Sequence, residues 1–172
     1  MATSNLFTIK RTLNAPRELV WQVWTQAEHL TKWFSPKGFT TKVVTMDLKP
    51  NGIFHYSMTT PDGLEMWGKW VFRDVKQPEK LELIQSFSNA EGGLGKHPMV
   101  PIWPAYTLSR MTLSEANTKT ELLLEWQTYE ASAEEIDAFN RAFDSMTQGW
   151  GSTLENLENY LEKSNNFLNK IY

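Results

Sequence analysis

Residues 132–163 read SAEEIDAFNRAFDSMTQGWGSTLENLENYLEK, and the spacing of their apolar side chains decides the fold. Ile136, Phe139, Phe143, Met146, Trp150, Leu154, Leu157 and Leu161 recur in steps of three and four, which is one wide apolar stripe on an amphipathic helix. At 1.5 Å per residue that helix is about 45 Å long. Ser132-Ala133-Glu134-Glu135 supplies its start. The serine hydroxyl can accept from the Glu135 N–H while Glu135 reaches back, and two acids in the first turn suit the positive end of the helix dipole. Each buried stripe residue is worth on the order of 1.5–3 kcal/mol before entropy is subtracted. Such a helix needs a large concave apolar surface to lie against.

The chain before it reads as strands able to supply that surface. Leu6 to Leu13 alternates, with Phe7, Ile9, Arg11 and Leu13 on one face. Asn14-Ala15-Pro16 then reads as a helix start with Asn14 as N-cap. Thr25-Gln26-Ala27-Glu28 reads as a second capping box. Two short helices are therefore expected after the first strand, the second ending at Ser35-Pro36-Lys37-Gly38. Strands follow over Phe39–Leu48, Ile53–Thr60, Glu65–Val75, Lys80–Phe87, Tyr106–Ser114 and Thr120–Thr128. Short turns such as Pro61-Asp62-Gly63 join most of them, which implies an antiparallel meander. The expected architecture is α+β: a helix-grip fold, with a curved antiparallel sheet of about seven strands around one long C-terminal helix. Residues 1–163 form the expected single domain, and 164–172 read as a tail.

Composition narrows the function classes. A formal net charge of -3 with scattered Lys and Arg lacks the basic stripe that nucleic acid requires. The absence of cysteine removes disulfides, thiolate chemistry and zinc–thiolate sites. Met1-Ala2-Thr3-Ser4-Asn5 shows no basic region followed by an apolar run, and no stretch of about 18 apolar residues occurs. A cytoplasmic protein without a membrane span is the expectation. The eight tryptophans suggest wide, rigid apolar walls.

Several motifs carry a family likeness: Ala15-Pro16-Arg17-Glu18-Leu19-Val20-Trp21, Glu28-His29-Leu30-Thr31-Lys32-Trp33-Phe34, Asp47-Leu48-Lys49-Pro50-Asn51-Gly52 and Pro61-Asp62-Gly63. Met146-Thr147-Gln148-Gly149-Trp150, with Leu154, Leu157 and Leu161, continues it, as do His97-Pro98 and Trp103-Pro104. Together, over roughly residues 5 to 162, the chain resembles the START-related (SRPBCC) superfamily, in the branch of homologues of the activator of the heat-shock-protein-90 ATPase. The resemblance implies the helix-grip fold and a cavity, but no common reaction and no shared catalytic set.

Candidate chemistry is sparse. The three histidines, His29, His55 and His97, stand at no metal-ligand spacing, so no metal or cofactor is expected. His29 reads as an exposed or capping residue on the second short helix, and His55 as facing away from the cavity. Arg11 reads as a strand-end partner of a carboxylate or as a cation inside a pocket. The connection from Ser88 to Ala105 is far longer than the usual two to five residues and mixes glycine with apolar side chains. It reads either as a lid carrying His97 and Trp103 or as a plug for the open edge of the core. Gly149 and Gly151 bracket Trp150, each costing about 1 kcal/mol in a helix. They imply close packing, or room for a ligand.

Strand parity and the helix stripe place a pocket between Phe54, Tyr56, Met58, Trp67, Leu122, Leu124 and Trp126 on the sheet and Phe143, Met146 and Trp150 on the helix. Parity around Trp67 is ambiguous, with Trp70 the alternative. The leading expectation is binding of a small apolar or aromatic ligand in that pocket. A polyketide cyclase or hydrolase type of enzyme is the second, with Arg11, Tyr56 or His97 as nominees. A co-chaperone stimulating a heat-shock-protein-90 ATPase is the third, implied by the resemblance alone. A homodimer is left open.

Overall fold

A computed structural model describes residues 3–168. The strands are β1 (Phe7–Leu13), β2 (Thr40–Met46), β3 (Ile53–Thr59), β4 (Glu65–Lys76), β5 (Lys80–Ser88), β6 (Tyr106–Ala116) and β7 (Lys119–Tyr129). They form one sheet in the order β1-β7-β6-β5-β4-β3-β2, and every neighbouring pair is antiparallel. β2 to β7 are the meander that the short turns predict. β1 adds to the far edge, beside β7, so helices α1 (Arg17–Thr25) and α2 (Ala27–Trp33) carry the chain from one edge of the sheet to the other.

Register gives the sheet one apolar face. Ile9 lies opposite Leu124, Leu124 opposite Met111, and Met111 opposite Leu81. Further along, Phe72 faces Leu83 and Phe54 faces Trp70. All of these side chains are buried. Side chains alternate along a strand, so this one register aligns the apolar parity of all the strands on the face that the helices cover.

Ser132 caps the C-terminal helical segment as its sequence indicates: Ser132 Oγ accepts from the Glu135 N–H (3.2 Å), and the Glu135 carboxylate accepts from the Ser132 N–H (2.8 Å). The segment is two helices rather than one, α3 (Ala133–Arg141) and α4 (Phe143–Leu168). At Ala142 the N–H bonds to the Phe139 carbonyl, three residues back, which tightens the turn and bends the axis. The bend lets Phe139, with no exposed surface, sink between Trp103 and Trp126 (5.8 and 5.5 Å between ring centroids). Beyond it, Leu154, Leu157 and Leu161 continue the buried stripe. α4 also runs past the expected domain end at Lys163 to Leu168, so the first part of the expected tail is helical. Residues 169–172 of that tail lie outside the described residues.

Two expected caps are replaced. Pro16, not Asn14, occupies the N-cap of α1, because its fixed φ of -63° suits an extended entry. Gln26 is the N-cap of α2; Thr25 instead donates its hydroxyl proton to the Trp21 carbonyl (2.7 Å). α2 is pinned by Trp33, whose Nε1–H donates to the Val23 carbonyl (2.8 Å). No helix among the described residues is long and apolar enough to cross a membrane.

Phe139 is sealed at the bend, whereas Phe143 is half-buried at its outer side. Phe139→Ala should therefore lower unfolding stability by about 3–5 kcal/mol, and Phe143→Ala by roughly half as much or less. Urea midpoints of the two variants test the order.

Candidate functional site

Beneath the first turns of α4 the sheet and helix do not meet. A cavity of about 410 Å³ lies between the inner face of β3–β5, the first turns of α4 and the connection before β6. Phe34, just after α2, anchors one side. Its ring meets Tyr56 and Trp70 edge-on (5.3 Å each), and Trp150 tilts against it at 6.4 Å. Trp103 and Trp126 wall the opposite side (6.4 Å apart), and Met99, 77% exposed, stands at the mouth. No Asp, Glu, Lys or Arg lines the cavity among the described residues.

Tyr56 owes its position to a missing side chain. It lies opposite Gly68 across β3 and β4, and a Cβ at Gly68 would come within 2.4 Å of the phenol ring. The ring therefore lies down over the glycine and stacks on Phe54 (4.6 Å between centroids). Burial pushes the Tyr56 hydroxyl far above its ordinary pKa, and the nearby Trp70 indole pulls weakly the other way. The Trp70 N–H nevertheless meets no partner at hydrogen-bond geometry, so Tyr56 remains an un-ionised phenol with its own proton to donate.

The long connection divides into two parts with different duties. Asn89 to Leu94 folds back over the outer face of the sheet: Leu94 bridges to Ser88, and the Asn89 carbonyl bonds His55 Nε2 (3.1 Å). His97 to Pro104 forms the cavity wall. The His97 ring sits between Phe87 (4.8 Å) and Trp103 (5.1 Å), and its Nδ1 accepts from the N–H groups of both Met99 and Val100 (3.0 Å each). An imidazole nitrogen that accepts is unprotonated, so His97 is neutral with its proton on Nε2. Burial lowers its pKa, in the same direction. Trp103 plugs the core while His97 to Val100 edge the opening, so the connection serves as plug and rim together.

The two helical glycines separate in the same way. A Cβ at Gly149 would meet nothing within 4 Å, because that side of α4 borders the cavity. A Cβ at Gly151 would come 3.8 Å from the Arg11 guanidinium. Arg11 in turn lies 3.7 Å from Glu158, half-exposed and away from the cavity, so it is the carboxylate partner and not a pocket cation.

Of the residues expected to line the pocket, Tyr56, Met58, Trp126, Met146 and Trp150 do, joined by His97 and Trp103. Phe54, Leu122 and Leu124 share the correct face but lie in solid core, where Phe34 covers Phe54 and α1 and α3 contact β7. Phe143 packs on Phe7 (5.4 Å) at the helix bend and does not reach the cavity. Trp67 runs along the cavity's edge, but its register beside Ser57 puts its ring on the outer face, stacked on His55 at 5.1 Å. Trp70 takes the inner position. His55 faces outward as its parity indicates, whereas His29 is half-buried and shares a 2.6 Å hydrogen bond with Tyr160. Phe34, Met66 and Phe87 line the cavity unanticipated. Parity counted from Gly68 finds Met66, and its register partner finds Phe87; Phe34, in an irregular segment, carries no such signal. Among the described residues no group of three metal-ligating side chains is close enough to hold an ion.

The model of the family described as Activator of Hsp90 ATPase homolog 1-like protein matches residues 14–162. No functionally curated protein matches. Among solved structures, protein Ms6760 from Mycobacterium smegmatis is similar with 25% identity and a TM-score of 0.73, covering 91% of this chain and 90% of its own. A protein from Arthrobacter aurescens shares 23% identity and a TM-score of 0.75, with coverages of 92% and 86%. An AHSA1 protein from Silicibacter pomeroyi shares the fold at 14% identity, with a TM-score of 0.71 and coverages of 93% and 99%.

Two outcomes follow from this geometry. Gly149→Ala should raise stability by up to about 1 kcal/mol, since the added methyl meets only cavity space and alanine favours helix; thermal or urea unfolding reads it. Protonation of His97 would place a proton on Nδ1 and end both backbone contacts. Because its folded pKa is depressed, the contact is complete above the ordinary 6.5 and is lost as pH falls through the lower folded value. Protection factors of the Met99 and Val100 amides should fall in that window while strand amides hold, and pH-independent protection would refute the contact's role.

Proposed function

Since the chain belongs to the family of Activator of Hsp90 ATPase homolog 1-like proteins, whose solved relatives carry this fold, we propose that it binds a small apolar or aromatic molecule between the sheet and α4. One observation carries this reading: a cavity of about 410 Å³ walled by Phe34, Tyr56, Trp103, Trp126, Met146 and Trp150, with no charged side chain among its described lining. The cavity opens to solvent beside Met99, and its walls are mostly apolar, as in ligand pockets. The volume falls in the ordinary range of ligand pockets. Gly149 supports the same reading, because the helix carries its poorest non-proline former where a Cβ would meet nothing within 4 Å.

Turnover has less support from the same side chains. A general base needs a free lone pair within reach of substrate. His97 Nδ1 already accepts two backbone N–H groups, Tyr56 is held un-ionised, and no carboxylate lines the cavity among the described residues.

A thermal-shift screen of neutral ring compounds tests the proposal. A compound that binds only the folded chain should add about 2.7 kcal/mol at a hundredfold excess over its Kd, a rise of several degrees in Tm. Gly149→Leu, which projects a side chain into the cavity, should keep the fold and abolish the shift. A shift equally large in that variant would place binding elsewhere and end the proposal.

A further inference from the structure

We propose that the cavity selects an uncharged ring compound carrying a carbonyl-type oxygen, and that Tyr56 is the specificity-determining residue that receives this oxygen. The inference rests on the cavity being a ligand site. It comes from the absence of charge in the walls and from one hydroxyl fixed among them. The lining has no charged side chain among the described residues, so a carboxylate or ammonium group would lose its hydration without gaining a counter-charge. Its uncharged polar side chains include Gln85, Ser86 and Ser145, which can donate and accept, so the rigid Tyr56 hydroxyl is distinguished by its fixed position. The Tyr56 hydroxyl is un-ionised and lies in the seat that Gly68 leaves. His97, with Nδ1 occupied, offers only its Nε2–H. Thr107 and Thr153, which also line the cavity, direct their hydroxyl protons to the carbonyls of Gln85 and Gly149, so they can only accept from a ligand. A donor left unpaired in an apolar enclosure is unfavourable, and an acceptor oxygen on the ligand relieves it.

Tyr56 is the donor best placed to discriminate, because its hydroxyl is held rigidly. Phe54 stacks on one side of the ring, Phe34 meets it edge-on, and Gly68 leaves the seat in which the phenol end lies. A hydroxyl fixed before binding loses little freedom when an acceptor arrives, so its hydrogen bond discriminates between ligands more sharply than one from a mobile side chain. A site built to donate to an oxygen also rejects the analogue that lacks it.

The experiment uses three probes of one shape on the full chain, read by quenching of tryptophan fluorescence and confirmed by calorimetry. Benzophenone has the ketone oxygen, diphenylmethane replaces it with a methylene, and 4-benzoylbenzoate adds a charge. Benzophenone should bind about five- to tenfold more tightly than diphenylmethane, the ratio expected for one hydrogen bond. Tyr56→Phe should bring benzophenone down to the affinity of diphenylmethane and change the latter less than twofold. 4-Benzoylbenzoate should bind at least about tenfold more weakly than benzophenone. If Tyr56→Phe does not fold, Gly68→Ala serves instead, since its methyl displaces the phenol while keeping the hydroxyl in the chain, and the ketone preference should again collapse. Equal binding of ketone and hydrocarbon by the wild type, equal weakening of both by Tyr56→Phe, or tight binding of the carboxylate would overturn this inference and leave the ligand site standing. Binding of neither neutral compound by the wild type would overturn both.

Discussion

One apolar helix stripe must cover one apolar sheet face, and the two surfaces do not have the same shape. The rest of the structure is a response to that mismatch. Toward its C-terminal end α4 lies close to β1 and α2, and Leu154, Leu157 and Leu161 are sealed there with almost no exposed surface. At its N-terminal end the segment bends at Ala142 so that Phe139 can reach the core beside β7. Between these anchors helix and sheet separate, and the gap is the cavity. Burial favours closing any such gap, since its lining atoms lose dispersion contacts. The gap persists because both ends of the helical segment are already fixed, and Gly149, between the lining residues Met146 and Trp150, has nothing to insert.

Aromatic geometry keeps the cavity's walls in place. Phe34, Phe54, Tyr56 and Trp70 form a cluster with ring centroids 4.6 to 6.1 Å apart, mostly edge-to-face. Such contacts are directional, and each is worth about 0.5–1.5 kcal/mol beyond its area. Rings locked against one another cannot rotate to fill an adjacent space as a leucine or methionine could. The same rigidity fixes the polar tips, which is why an un-ionised phenol and an unpartnered indole N–H persist in the walls. Gly68 is the complement of this cluster: any side chain there would expel Tyr56 from its seat.

The connection between β5 and β6 shows how one segment can be both structural and poised to respond. Trp103 belongs to the packed core, so that end is not free to swing. Asn89 to Leu94 is tied to the outer face through His55, Lys69 and the bridge to Ser88. The short run from His97 to Val100 is held to the wall by the His97 ring between Phe87 and Trp103, and in its own fold by two N–H groups on one imidazole nitrogen. Two backbone N–H groups accepted by a single titratable atom make the rim of the cavity the part of the wall that acidity can loosen.

How much of this was legible beforehand divides along a physical line. Local chemistry was readable: the Ser132–Glu135 capping box, the alternation of the strands, the Pro61-Asp62-Gly63 turn and the stripe from Phe139 to Leu161 all depend on residues close in sequence. Parity also assigned Tyr56, Met58 and Trp126 to the inner face correctly. Parity cannot say where along a face the helix touches, so Phe54, Leu122 and Leu124 share that face yet lie in solid core. In β4, Met66, Gly68, Trp70 and Phe72 take the inner parity, so alternation turns the ring of Trp67 outward. The run of large residues there hides which parity is inner until the register is known. The pairing of β1 with β7, the bend at Ala142 and the arrival of Phe34 from a loop depend on contacts between residues far apart in the chain. By itself the sequence determined the elements and the faces they bury, because those follow from spacing. The tertiary structure alone decided the size, walls and polar tips of the cavity, because these depend on the distance at which two covered surfaces come to rest.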